Sequence, residues 1–361
     1  PMANSNHCRD CDSQLDAGMS RREFVQTTSA AAAAVSVASV VPTPVTAAED
    51  TAQPEQLVVK LYDSLTDEQR EVVCFSWDHE DDRGLLRTHV SNNWSIIQPP
   101  GDGGRRQRNP YVVGGSFFTA DQQDMIEAIF YGLYNPDWHD RIRKQLQDDA
   151  GGYGRAQTFA IFGEPGSGKF EFVMTGRHLT IRCDGDSAEH VAFGGPIFYG
   201  HAAEGFDEEP DHPGNVFWHQ AIKANKLYQM LDGKQREVAL IPSAPAEADV
   251  PFQGADGEFP GIAIADLTKD QQAHAQEVLQ TLLEPYRTSD QDEALKCLKA
   301  QGGLEKCSLS FYADPDIGGD GVWDVWRIEG PSFVWHYRGA PHVHVWANVA
   351  DDPSPELNAI G

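Results

Sequence analysis

The chain has 361 residues and a formal net charge of −27, with 40% of its residues hydrophobic. An acid excess of this size repels nucleic acid and anionic membrane surfaces, and it suits a strongly solvated exterior. The length is enough to bury a large core in one domain or two.

Near the start, Ser20-Arg21-Arg22-Glu23-Phe24-Val25 precedes a weakly apolar run, Ala30 to Val41, and a small-residue site at Val45-Thr46-Ala47-Ala48. Paired arginines before such a run resemble a twin-arginine export signal over residues 1–47. The expectation is a periplasmic or secreted protein whose mature part, residues 48–361, is a single large domain. The run is too short and too poor in Leu, Ile and Phe to span a bilayer, and no later stretch reads as a span. Cys8 and Cys11 would leave with the leader. Cys74, Cys183, Cys297 and Cys307 remain, and an oxidising compartment allows two disulfides among them, with Cys297–Cys307 the local pair; free buried thiols are the alternative.

Four stretches share one pattern: Leu65-Thr66 with Gln69, Phe118-Thr119 with Gln122, Leu231-Asp232 with Gln235, and Leu267-Thr268 with Gln271. Each is a capping box with an apolar residue ahead of it, so each predicts a helix start. Helices are expected over 66–75, 119–134, 232–240 and 268–286, with two more at 54–65 and 218–231. The acidic pairs and runs, Asp148-Asp149 and Asp207-Glu208-Glu209, read as solvated surface.

"FGEPGSGKFEF", residues 162–172, has the glycine and lysine spacing of a phosphate-binding loop. Phe170 stands where that loop needs Ser or Thr for Mg²⁺, and alternating apolar residues come next where it needs a helix. The stretch reads instead as strand, turn, strand. Strands are expected over 156–163, 169–183, 190–199, 306–313, 321–329, 332–338 and 342–349. They are grouped rather than alternating with helices, which gives an α+β class with an antiparallel sheet built from hairpins, closed by a C-terminal three-stranded meander and flanked by helices. The long polar loops 84–116 and 200–216 are of the kind that line sites.

"APHVHVWANV", residues 340–349, carries the strongest chemical signal. On a strand His342 and His344 point to one face, and two imidazoles there form a natural metal chelate. His178 continues the face of Phe170, Phe172 and Met174 and is the expected third ligand, with His201 as a further candidate. Glu164, in the turn after Gly163, is the expected general base; Arg177 and Arg327 could orient an anionic group; Glu329 and His336 are further candidates. The alternative for each is a hydrogen-bonded or ion-paired structural residue. Trp323, Trp326, Trp335, Trp346 and Tyr337 are either core or, if exposed, a stacking face for a sugar or peptide.

The segments "FGEPGSGKFEFVMTGRHLTI", "FGGPIFYG", "LDGKQREVAL" and "WRIEGPSFVWHYRGAPHVHVWANV" resemble a bacterial family called domain of unknown function 3500, over residues 57–350. The family pattern has an F-G-x-P turn, a G-H-H-L strand, a P-x-F-x-G stretch, an L-x-x-x-Q-R helix start and a closing R-I-x-G-P … H-x-H segment. This chain has Gly176-Arg177-His178 where the family has Gly-His-His, which removes one possible ligand, and it adds His201, His212 and His219. The resemblance points again at His178, His342 and His344 and implies no particular reaction. The resulting expectation is an exported metal-dependent hydrolase with zinc or copper on histidines, acting on a small molecule, peptide or glycan. A copper oxidoreductase and a non-catalytic glycan- or peptide-binding protein are the alternatives.

Overall fold

The computed structural model describes residues 53–99, 109–203, 212, 214–319 and 322–360. The expected export signal, its cysteines and Asp207-Glu208-Glu209 lie outside them. Residues 53–361 form one compact unit, and every helix and strand named here belongs to it.

Its element order runs twice. The first round is α1 (Pro54–Ser64), α2 (Asp67–Val73) and the short β1 (Cys74–Phe75). The small strands β2 (Glu80–Asp81), β3 (Gly84–Leu85) and β4 (His89–Val90) come next. The round closes with α3 (Ala120–Gly132), α4 (His139–Ala150), β5 (Thr158–Gly163), β6 (Phe170–Gly176), β7 (Leu179–Cys183) and β8 (Ile197–His201). The second round is α5 (Trp218–Met230), α6 (Gly233–Ala239), β9 (Leu240–Ile241) and β10 (Ile262–Ala263). It closes with α7 (Lys269–Leu283), α8 (Thr288–Ala300), β11 (Ser308–Tyr312), β12 (Val325–Gly330), β13 (Phe333–Arg338) and β14 (Val343–Val349). In each round the first short strand lies parallel to the first long one, β1 on β5 and β9 on β11. The last strands of the two rounds, β8 and β14, meet antiparallel at the centre of one eleven-stranded sheet. A last strand, β15 (Asn358–Ala359), pairs with β4.

All four predicted capping boxes form. They also bond to one another in pairs, one pair per round: Gln69 Nε2 donates to Gln122 Oε1 at 2.9 Å, and Gln235 Nε2 to Gln271 Oε1 at 3.0 Å. The repeated motif is therefore helix-entry punctuation that ties the short second helix of each round to the start of its third.

Strand alternation gives the sheet two different faces. One carries Phe159, Phe172, Met174, Ile181, Tyr199, Trp335, Tyr337 and Val345, all in the main core. On the other, cross-strand neighbours include Ser310, Arg327, His336, Trp346 and Phe198 in one row and Arg338, His344 and Gly200 in the next. A small apolar cluster, with Phe198, Trp346, Val334, Val90 and Val250, sits on this second face.

As expected, residues 163–169 are a hairpin turn, with Gly163 at φ 76° and the Glu164 N–H bonded to the Lys169 carbonyl at 3.0 Å, so no helix follows the lysine. Several other expectations change. The strand expected over 169–183 breaks at Arg177-His178 into β6 and β7. Residues 192–194 form a 3₁₀ turn inside the expected strand 190–199, and β8 starts only at Ile197. Helices α4 and α8 lie outside the expected set. Cys74, Cys183, Cys297 and Cys307 are all free, so the Cys297–Cys307 bridge is absent. Trp326, Trp335, Trp346 and Tyr337 are buried and Trp323 packs edge-on against Tyr228, so they form no exposed stacking face. Among the described residues no helix is long and apolar enough to cross a membrane.

Candidate metal centre

His178, His342 and His344 come together, all fully buried. His344 Nε2 lies 3.0 Å from His342 Nε2 and 3.1 Å from His178 Nε2. Zinc–nitrogen bonds of about 2.0–2.1 Å place tetrahedral ligand atoms about 3.3 Å apart, so these two spacings need to open by only a few tenths of an ångström to suit an ion, and all three ligand atoms lie within 4.8 Å of one another.

Each ligand arrives by a different route. His344 projects from β14 onto the polar face, and His342 stands just before that strand, after the cis Ala340–Pro341 bond. His178 occupies the turn between β6 and β7 in a left-handed conformation, φ 53°, and does not extend a strand face as the alternation suggested. Its N–H donates to the Asn92 carbonyl at 3.3 Å, and its carbonyl accepts from Gln145 Nε2 at 3.0 Å. Gly200, opposite His344, leaves room for the ring: a Cβ there would lie 2.2 Å from the Val343 carbonyl oxygen and 3.3 Å from His178 Cγ.

Two carboxylates stand behind the rings. Glu247 Oε2 accepts from His344 Nδ1 at 3.0 Å and from Trp346 Nε1 at 3.3 Å, and Arg338 Nη1 lies 3.3 Å from Glu247 Oε1. Asp149 Oδ2 is 3.0 Å from His178 Nδ1; the distance is that of an ion pair, but the angle falls outside hydrogen-bond alignment, and both atoms are buried with no other hydrogen-bond partner. Its other oxygen accepts from the Ala202 N–H at 3.1 Å. Burial pushes the Asp149 carboxyl up to about 7, against the pull of His201 and Arg177. Burial, then the charges of Arg177 and Arg338, holds His178 well below the usual imidazole range; burial and Arg338 do the same for His344.

Glu247 at Nδ1 takes an N–H from His344, which leaves His344 Nε2 as a lone pair when the ring is neutral. His342 Nε2 at 3.0 Å and His178 Nε2 at 3.1 Å both face that lone pair, so the side on which the three rings meet is the side on which a cation would be held. Carboxylates behind metal-bound histidines are the common way of fixing tautomer and raising ligand basicity.

The remaining predicted residues lie elsewhere. His201 projects to the opposite face, its Nε2 2.9 Å from Asp148 Oδ2 and its Nδ1 accepting from the Val216 N–H at 3.0 Å, so both ring nitrogens are committed. Glu164 is exposed at the far end of β6, a seven-residue strand that separates it from the histidines by about 20 Å. Arg177 is half-buried beside His178, where it bridges to Asn93. Arg327 bonds His336 Nδ1 through Nε at 3.2 Å, deeper along the sheet.

Asp149, which reads as surface in the sequence, is a buried member of the site. The inner stripe of α4 is Ile142, Gln145, Leu146 and Asp149. That is helical spacing with two polar members, and both serve His178. The spacing is legible; only two apolar residues in the stripe hide it.

Residues 156–350 match the family described as "Protein of unknown function (DUF3500)". The match covers more than half of the sequence. The chain belongs to this family. The DUF3500 segment holds all three histidines together with Glu247 and Gly200, while Asp149 lies just before it. No curated protein and no solved structure matches the chain.

If the carboxylates hold the rings in this way, Glu247→Gln and Asp149→Asn each weaken metal binding about 10–100-fold with the fold retained. Competition with a chromophoric chelator reads this directly. Wild-type affinity in both variants would show that the carboxylates do not set the tautomers.

Proposed function

We propose that the protein binds one divalent metal ion through His178, His342 and His344 and uses it in hydrolysis. The observation that carries the reading is the convergence of three buried Nε2 atoms with carboxylates at two of the opposite ring nitrogens. Three neutral imidazoles leave coordination positions open, the arrangement of catalytic zinc sites. Zinc supplies a bound water of lowered pKa and polarises a substrate carbonyl or phosphoryl oxygen. Arg177, beside His178, would attract an anionic substrate group. Export through the twin-arginine route, in which a protein crosses the membrane folded, is compatible with loading the ion beforehand.

One observation favours a second reading, a copper-dependent oxidoreductase. The metal-competent group contains no carboxylate, and Asp149 and Glu247 both stand behind the rings rather than on the ion's open side. A hydrolase draws on a general base there, which Glu164 is too distant to be. An all-imidazole set suits copper equally well.

The deciding experiment is elemental analysis of the purified protein beside a His342→Ala/His344→Ala variant. The expected result is close to one equivalent of zinc or copper, lost in the variant, with the element choosing between hydrolytic and redox assays. No metal in either sample after reloading would overturn the reading.

A further inference from the structure

A second cluster of buried charge lies on the same sheet face. A cleft of about 520 Å³ opens there, floored by Tyr312, Arg327 and Glu329 and walled by Ser243, Pro251 and Gln253. The three floor residues are buried, the walls largely exposed.

The donors and acceptors of the floor are nearly all committed. Arg327 Nε donates to His336 Nδ1 at 3.2 Å, and Nη2 donates to the Asp249 carbonyl at 2.7 Å. Glu329 Oε1 accepts from Gln253 Nε2 at 2.8 Å. That leaves Arg327 Nη1 and Glu329 Oε2, which stand 3.6 Å apart, beyond hydrogen-bond length. A charged donor and a charged acceptor thus lie side by side in the cleft, each with unused capacity.

This pair selects by chemistry. A carboxylate or phosphate ligand gains from Arg327 and is repelled by Glu329, and an ammonium meets the reverse. A trans peptide group directs its N–H and C=O to opposite sides, so one peptide unit cannot engage two neighbouring atoms on one edge. A hydroxyl oxygen both accepts and donates, and adjacent hydroxyls offer an accepting and a donating oxygen in the same direction. We propose that this cleft binds a neutral polyhydroxylated ligand, a carbohydrate, whose neighbouring hydroxyls engage Arg327 Nη1 and Glu329 Oε2. The site needs no metal, so it stands or falls separately from the histidine centre.

The test is saturation-transfer NMR and titration calorimetry on the purified chain with D-glucose, cellobiose and myo-inositol, with acetate and N-acetylglycine N-methylamide, which has only secondary amides, as comparators. Two variants accompany it: Glu329→Gln in the floor, and Ser243→Trp, whose exposed rim position fills the cleft without touching the buried pairs. At least one polyol is expected to bind, at least tenfold more weakly in both variants, while the thermal melt of Ser243→Trp stays at the wild-type value. Absence of polyol binding, binding unchanged by Ser243→Trp, or equal binding of acetate or N-acetylglycine N-methylamide would each overturn the assignment.

Discussion

Gly200→Ala is expected to destabilise the protein by about 3 kcal/mol or more and to weaken metal binding at the proposed centre. Overpacking a core costs typically about 1–3 kcal/mol, because side chains shift to make room. Here the nearest neighbour is backbone: the added Cβ would lie 2.2 Å from the Val343 carbonyl oxygen, on the strand that pairs with β8. Relief requires β8 and β14 to move apart at the centre of the sheet, where the two rounds of the fold join. The same Cβ would press on the His178 ring at 3.3 Å, between the strand and two ligands whose Nε2 spacing is already set. Stability and metal affinity should therefore fall together. Urea unfolding followed by circular dichroism measures the first and chelator competition the second. A variant with wild-type values of both would show that the close approach at Gly200 is not what seats His178.

The parts of the site legible in sequence are those set by local geometry. His342-x-His344 on a strand fixes two ligands on one face by alternation alone, and the capping boxes fix helix starts by side-chain reach over three residues. His178 belongs to the expected site but reaches it by another route: a strand continuing through Arg177 would carry it, but the chain turns there and the left-handed residue swings the ring over Gly200. Gly200 closes the F-G-G-P-I-F-Y-G stretch, so a signal exists, yet its purpose depends on a strand more than 140 positions later in the sequence. Glu247 sits in an irregular segment with no periodicity to place it. Glu164 and His201 are reasonable candidates by proximity in sequence and are separated by the sheet itself, one by the length of β6 and the other by its thickness. The doubling of the element order is half visible, as four capping boxes; that β8 and β14 pair across the junction is a tertiary choice.

That junction explains why, among the described residues, the doubled scaffold brings three histidines together at one place. The turn of the second round equivalent to Arg177-His178 lies between β12 and β13 and holds Pro331-Ser332, whose carbonyl and hydroxyl bond to Gly254 and Ala350. Neither residue is a metal ligand. The first round supplies His178 and Asp149, the second His342, His344 and Glu247, so the candidate centre is complete only where the two meet.

Glu171→Ala is expected to cost about 3–5 kcal/mol, the usual consequence of leaving one member of a buried ion pair unneutralised. Glu171 and Arg182 are both buried on the polar face; Glu171 Oε1 is 2.8 Å from Arg182 Nη1, and Oε2 is 2.9 Å from Arg87 Nη1. Arg182 also donates through Nε to the Pro196 carbonyl at 2.7 Å, through Nη2 to the His89 carbonyl at 2.9 Å, and through Nη1 to the carbonyl of Arg87. One guanidinium thus ties β7 to the segment that covers this face and to the entry of β8. Without Glu171 its charge remains in place, held by carbonyls that cannot neutralise it. A Glu171→Leu/Arg182→Met double variant removes both charges and should cost well under the sum of the two single changes, with the Pro196 and His89 carbonyls left to find other donors. The covering segment continues to Asn92, whose carbonyl holds the His178 N–H. Weakening of metal binding is therefore expected in Glu171→Ala as well, although the residue touches no ligand. Denaturant unfolding of Glu171→Ala, of Glu171→Leu and Arg182→Met singly and of the double variant, with metal affinity measured on each, tests both consequences. A single-variant cost below about 1 kcal/mol would mean that water reaches the pair and that the staple does not hold the His178 turn.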